Sequence, residues 1–186
     1  MSDRRLCAFL LLAALSAQPA LAAGATADEV WVAKAERVAA PKLVLRDLDG
    51  KKRQLSELKG KLVVLNFWAT WCGPCRVEMP AFAKVHTEYR ERGVEFVGAA
   101  NETKASRAKV ADFARKLGVG FPIWLEASLD HMEAFNVGPE LPATVFVDMQ
   151  GRVAARIQGV VDEPQLRSLV DRLLVESARE ASIDRD

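Results

Sequence analysis

The chain has 186 residues, 50% apolar and 27% charged, which suits one domain with a closed core and excludes a disordered chain. Lys and Arg number 26 against 25 Asp and Glu, a net charge of +1. Neither a nucleic acid nor an anionic membrane surface is implied as a partner.

The first residues differ from the rest. Arg4 and Arg5 form a short basic stretch, Leu6 to Leu15 an apolar run, and Ala20-Leu21-Ala22 a small-x-small end after Pro19. This pattern predicts a secretory signal over residues 1–22, cleaved after Ala22. The alternative is an uncleaved anchor, but Ser16, Gln18 and Pro19 interrupt the run well short of about 20 apolar residues. Cys7 would leave with the signal. The mature chain would then carry 24 basic and 24 acidic residues and only two cysteines, Cys72 and Cys75. It is expected in the periplasm or another extracytoplasmic space, where disulfides persist.

Residues 23–40 are expected to form an N-terminal arm, with a short amphipathic helix from Asp28 to Ala39. Residues 42–50 and 52–55 predict a hairpin turned at Asp49-Gly50, followed by one helical turn at Ser56 to Leu58. Leu62 to Trp68 is nearly all apolar, as in a strand buried on both faces. A helix is expected from Gly73 to Arg92, ended by Gly93 and kinked at Pro80. Val94 to Ala100 predicts a second buried strand. Val110, Phe113, Ala114 and Leu117 then share one helical stripe stopped by Gly118. A short strand (Phe121 to Leu125), a short helix (Leu129 to Phe135) and two strands (Ala143 to Asp148, Arg152 to Ile157) follow. Leu166, Leu169, Val170, Leu173 and Leu174 mark a last helix capped by Asp162. The folded domain is placed at 41–176, with a charged, frayed tail at 177–186.

Strands alternating with helices predict an α/β sandwich, with Cys72 and Cys75 at the carboxyl end of the first long strand. The pair stands in Trp71-Cys-Gly-Pro-Cys75. Zinc would need four ligands. The chain has no second such pair, and its two histidines are His86 and His131. On one helix His86 would lie about 16 Å along the axis from Cys75. A c-type haem site would need histidine directly after the second cysteine, where Arg76 stands. A structural disulfide closing so short a loop constrains little. A redox pair has a mechanism: Cys72 at the helix N-terminus is favoured as thiolate, and Cys75, one turn on, can resolve a mixed disulfide.

Asn66-Phe-Trp-Ala-Thr-Trp-Cys-Gly-Pro-Cys-Arg-Val-Glu-Met-Pro80 resembles the active-site segment of thioredoxin-fold proteins, most of all the extracytoplasmic TlpA/ResA-type thiol–disulfide oxidoreductases. The likeness runs from about Pro41 to Val175 and takes in Leu141-Pro142 before a strand. It implies a thioredoxin fold of the α/β class. That fold has a central mixed β-sheet flanked by helices, here with an N-terminal β-hairpin extension and an inserted helix–strand element. It implies that Pro142 is a cis-proline facing the disulfide, and that Trp71, Gly73, Pro74 and Leu141 face the substrate. Glu78 matches an acidic residue that could accept the Cys75 proton; otherwise it is an exposed glutamate near a helix start. Asn66 stands where cytoplasmic thioredoxin has a buried aspartate, and an amide cannot act as that base. Trp68 is expected in the core, Trp71 at the surface, and His86 and His131 on solvated helix faces.

The resemblance implies no cofactor beyond the Cys72–Cys75 couple. It implies a monomer that reduces disulfides in client proteins, such as apocytochrome c or copper-site proteins, and is recharged by a transmembrane electron donor. The Gly-Pro dipeptide resembles that of strongly reducing thioredoxins. The alternatives are a thiol oxidase or isomerase of the same fold, or a chaperone binding Cu(I) or client thiols. A peroxiredoxin would want Pro-x-x-x-Thr-x-x-Cys, and Leu65 and Ala69 occupy the Pro and Thr places.

Overall fold

The computed structural model describes residues 28–183. In chain order the elements are β1 (Asp28–Trp31), β2 (Val44–Asp47), β3 (Lys52–Gln54), β4 (Leu62–Trp68), α1 (Gly73–Tyr89) and β5 (Val94–Ala100). There follow α2 (Arg107–Lys116), β6 (Ile123–Leu125), α3 (Leu129–Ala134), β7 (Ala143–Val147), β8 (Val153–Gln158) and α4 (Glu163–Ile183). The signal segment 1–22, with Cys7, and arm residues 23–27 lie outside the described residues.

The strands form one mixed sheet in the order β1-β8-β7-β4-β5-β6-β2-β3. β4 runs parallel to β5 and antiparallel to β7. The α2–β6 insertion extends the sheet beyond β5, and the β2–β3 hairpin closes that edge through β6. Gly50 makes the hairpin turn at φ +83°, a backbone angle that glycine adopts without strain.

Every residue of β4 is buried, and the side chains alternate between two covered faces. Leu62, Val64 and Trp68 join a core with Met79, Phe82 and Val85 of α1 and with Leu166, Leu169, Val170 and Leu173 of α4. Val63, Leu65 and Phe67 pack on the opposite face with Leu43, Leu45, Met132 and Phe135. Asn66 shares its parity with Val64 and Trp68 and therefore faces α1. Gly98 of β5 must be glycine for space: a Cβ there would lie 2.8 Å from Trp68 Nε1.

Three expectations are corrected. The first concerns the arm. Asp28–Trp31 is a strand rather than part of a helix, pairing antiparallel with β8 from Asp28↔Gln158 to Trp31↔Ala155. The free edge of β8 satisfies its backbone groups, which outweighs the helix preference of an Ala-rich segment. Second, α4 continues to Ile183 where a tail was expected from residue 177. Glu176 and Glu180 hold that extension by pairing with Arg37, and with Lys34 and Arg152. Third, His86 is not on a solvated face. It is buried edge-on between Phe96 and Phe121, both 5.7 Å away between ring centroids, and burial lowers its proton affinity. α1 continues through Pro80, which lies on its exposed side.

Arg37 ties the arm to the domain. Its side chain is 2% exposed and donates to Val32 O at 3.2 Å, Asp148 at 3.5 Å and Glu176 at 2.7 Å. Removing it leaves the buried Asp148 with Arg152 as its only basic partner among the described residues. R37A is expected to lower unfolding free energy by about 3 kcal/mol, and R152A, whose side chain is partly solvated, by under about 1 kcal/mol. Urea denaturation of both variants measures the difference.

Candidate active site

The site grows from the carboxyl end of β4. The chain leaves the sheet at Ala69 and turns, Cys72 N–H donating to Ala69 O at 3.2 Å. Glu102 holds this turn by accepting the Thr70 backbone N–H at 3.0 Å and the Thr70 hydroxyl. Cys72 is the N-cap of α1, its Sγ accepting the Cys75 N–H at 3.2 Å. Pro74 fits the first turn, where no N–H is required.

Cys72 and Cys75 are joined by a disulfide with S–S 2.04 Å and Cα–Cα 5.4 Å. Cys75 is fully buried and Cys72 is 4% exposed, so the outer sulfur belongs to the residue at the helix start. Gly73, Pro74 and Trp71 surround it on the exposed side, and Trp71 is 63% exposed. Trp68 lies wholly in the core.

The Leu141–Pro142 peptide is cis. Register places it beside the cysteine turn, because Ala143 pairs with Phe67 near the end of β4. Pro142 O accepts the Gly159 N–H at 2.9 Å, and Gln158 Nε2 donates to Glu140 O at 2.6 Å, fixing this loop to the start of the last connection. The backbone N–H and C=O of Leu141 have no partner among the described residues.

Glu78 is buried, on the face of α1 that also carries Cys75 one turn earlier. Asn66 Nδ2 donates to its Oε1 at 2.8 Å and Val161 N–H to its Oε2 at 3.0 Å. Burial pushes the Glu78 carboxyl up to about 7, against the opposing pull of the Val161 and Asn66 hydrogen bonds. The exposed-glutamate alternative is thereby set aside. Asn66 also reaches Thr144 Oγ1 at 3.1 Å.

The structure thus gathers Cys72, Cys75, Glu78, Asn66, Leu141, Pro142 and Trp71 at one end of β4. His131 is elsewhere, capping α3 through Ser128. Sequence reasoning missed Thr144, Val161 and Glu102. Thr144 had a signal, being the single polar residue in the apolar strand Ala143–Val147; a backbone N–H such as that of Val161 leaves none.

Residues 37–156 match the AhpC/TSA family. The chain belongs to that family. Among curated relatives, the thiol–disulfide oxidoreductase ResA of Geobacillus kaustophilus is 40% identical over 128 residues, 68% of this chain and 71% of its own. The ResA of Bacillus subtilis is 37% identical over 132 residues, 71% of this chain and 72% of its own. Among solved structures, a DsbF homologue from Corynebacterium diphtheriae superposes with TM-score 0.70 at 28% identity, covering 78% of this chain and 92% of that one. The fold is therefore the thioredoxin fold expected from the motif. The chain is a thiol–disulfide oxidoreductase, and Cys72–Cys75 is the disulfide it carries.

The raised proton affinity of Glu78 has a consequence for stability. Between the unperturbed value of 4.5 and about 7, the folded chain holds this proton and the unfolded chain releases it. Stability from this group is therefore present at low pH and lost as pH rises through that window, by about 3 kcal/mol in full. E78Q has no such slope. Its unfolding free energy relative to the wild type is expected to increase from pH 5 to pH 8 in urea titrations of the oxidised proteins.

Proposed function

We propose that the chain is an extracytoplasmic reductant of protein disulfides, exported by the signal at residues 1–22 and recharged by a transmembrane electron donor. The observation that carries the reading is the unequal burial of Cys72 and Cys75 at a helix start beside buried Glu78. Among the described residues no helix is long and apolar enough to cross a membrane.

In the reduced enzyme the Cys72 thiolate, favoured by the helix N-terminus, attacks one sulfur of a client disulfide. The client's other sulfur leaves as a thiolate, and a mixed disulfide joins Cys72 to the client. Cys75 then gives its proton to Glu78 and attacks Cys72 Sγ. The second client thiolate departs, and the two electrons have moved from the Cys72/Cys75 dithiol to the client. Leu141, with its backbone N–H and C=O free, pairs with the client segment as an added strand, and exposed Trp71 covers its apolar side chains. The couple itself is the redox group and needs no further cofactor. Apocytochrome c or copper-site cysteines are the clients suggested by the TlpA/ResA-type resemblance.

The same chemistry run in reverse would oxidise client thiols, and the potential separates the two directions. A value between about −200 and −270 mV against glutathione is expected, in the range of glutaredoxin and thioredoxin. A value near about −120 mV, as for a strong oxidant, would overturn the reductant reading. C75S is expected to accumulate mixed disulfides through Cys72 that mass spectrometry identifies, and C72S to accumulate none. E78Q is expected to slow client reduction by about 100-fold at neutral pH with the couple still able to form.

A further inference from the structure

Glu78 is surrounded by hydrogen-bond donors. Val161 N–H faces one carboxyl oxygen at 3.0 Å and the Asn66 amide nitrogen the other at 2.8 Å. Asn66 Nδ2 also reaches Thr144 Oγ1 at 3.1 Å, while its buried Oδ1 has no partner among the described residues. Donors alone suit an ionised carboxylate, which only accepts. A protonated Glu78 carries an O–H that neither donor can receive, in a dry place where an unmade hydrogen bond is expensive.

The missing acceptor lies within the same side chain. A half-turn of the Asn66 amide exchanges Oδ1 and Nδ2 with almost no change of shape. Oδ1 then faces both the Glu78 O–H and the Thr144 hydroxyl, which rotates to donate instead of accept. The first arrangement leaves Oδ1 unpartnered and the second leaves the two Nδ2 N–H groups, so neither is free of cost, but in each the Asn66 amide keeps a hydrogen bond to the charge state of Glu78 that it faces.

We propose that Asn66 is a positioning residue whose amide turns over with the Glu78 proton: nitrogen toward the carboxylate, oxygen toward the carboxylic acid, with the Thr144 hydroxyl following. The inference rests on the reading that Glu78 handles the Cys75 proton, and it explains how a sealed carboxyl can occupy both charge states. One proton leaves the Cys75 sulfur and arrives on a Glu78 oxygen; the amide only reorients. Asn66 faces Glu78 from β4, Val161 N–H from the loop before α4, and Cys75 lies one turn earlier on α1. Thr144 of β7 reaches Glu78 only through Asn66. Among the described residues no charged side chain contributes to the proton affinity of Glu78.

The test is NMR titration of the oxidised protein, following the Glu78 side-chain carboxyl carbon and the Asn66 side-chain N–H signals together. The Asn66 signals are expected to move with the same midpoint as the Glu78 carboxyl. N66L removes the donor to the carboxylate, and the Glu78 midpoint is expected to rise by about one pH unit, tenfold in proton affinity. N66D keeps the shape and covers the case in which N66L does not fold. Two acids must then share the space, and one midpoint is expected to rise further still. Asn66 signals that ignore the Glu78 midpoint, or an N66D protein in which neither acid's midpoint rises, would overturn the proposal. The kinetics of E78Q test the separate reading. If E78Q reduces clients at the wild-type rate while Asn66 still tracks the Glu78 proton, the functional role of Glu78 fails and the amide switch stands.

Discussion

β4 is covered on both faces, and that constraint governs everything at the site. A strand exposed on one side could place a polar residue outward at position 66. Here both faces are closed, so Asn66 must find its partners among neighbouring elements, and the pleat aims it at α1. Helical spacing brings Glu78 to meet it one turn after Cys75. The buried amide and the buried carboxyl satisfy one another, with Thr144 and the Val161 N–H completing their partners. Both are held where the strand's carboxyl end delivers the chain to the helix start.

Much of this was legible in the sequence because the signals were local. Apolar runs marked the buried strands, glycines marked the turns, and Trp-Cys-Gly-Pro-Cys placed the redox pair at a helix N-terminus. The illegible parts were set by contacts distant in sequence. Asp28–Trp31 has no strand signature of its own and becomes a strand because β8 offers an open edge. Residues 177–183 read as a polar tail, yet Glu180 finds Lys34 and Arg152 across the sheet end. His86 looks like any polar residue on a helix until β5 and the segment before β6 bring Phe96 and Phe121 against it.

The arm and the site divide the polar interior differently. Arg37 and Asp148 are buried but matched in charge, and Asp148 further accepts backbone N–H groups from Gln150 and Arg152. Such a cluster fixes one arrangement of the arm against the sheet end. Among the described residues Glu78 has no counter-charge, only two neutral donors. A carboxyl paired with arginine would be locked as an anion. One held by an amide and a backbone N–H stays within reach of its proton at neutral pH.

That difference is what the exchange reaction requires of a buried base. Cys75 is sealed from water, so a proton released there cannot pass directly to solvent. An exposed carboxyl near 4.5 would hold so little proton at neutral pH that it could not take one from a thiol near 8.5 without a steep uphill step. Burial alone would overshoot, since an unassisted carboxyl in an apolar core stays neutral and accepts nothing. The two donors offset part of that desolvation and bring Glu78 to about 7, between the solvent value and the fully buried one. In the proposed cycle the Asn66 and Val161 contacts are therefore as much a part of the redox centre as the sulfurs. In that cycle they would let the inner cysteine become a nucleophile without opening the core to water.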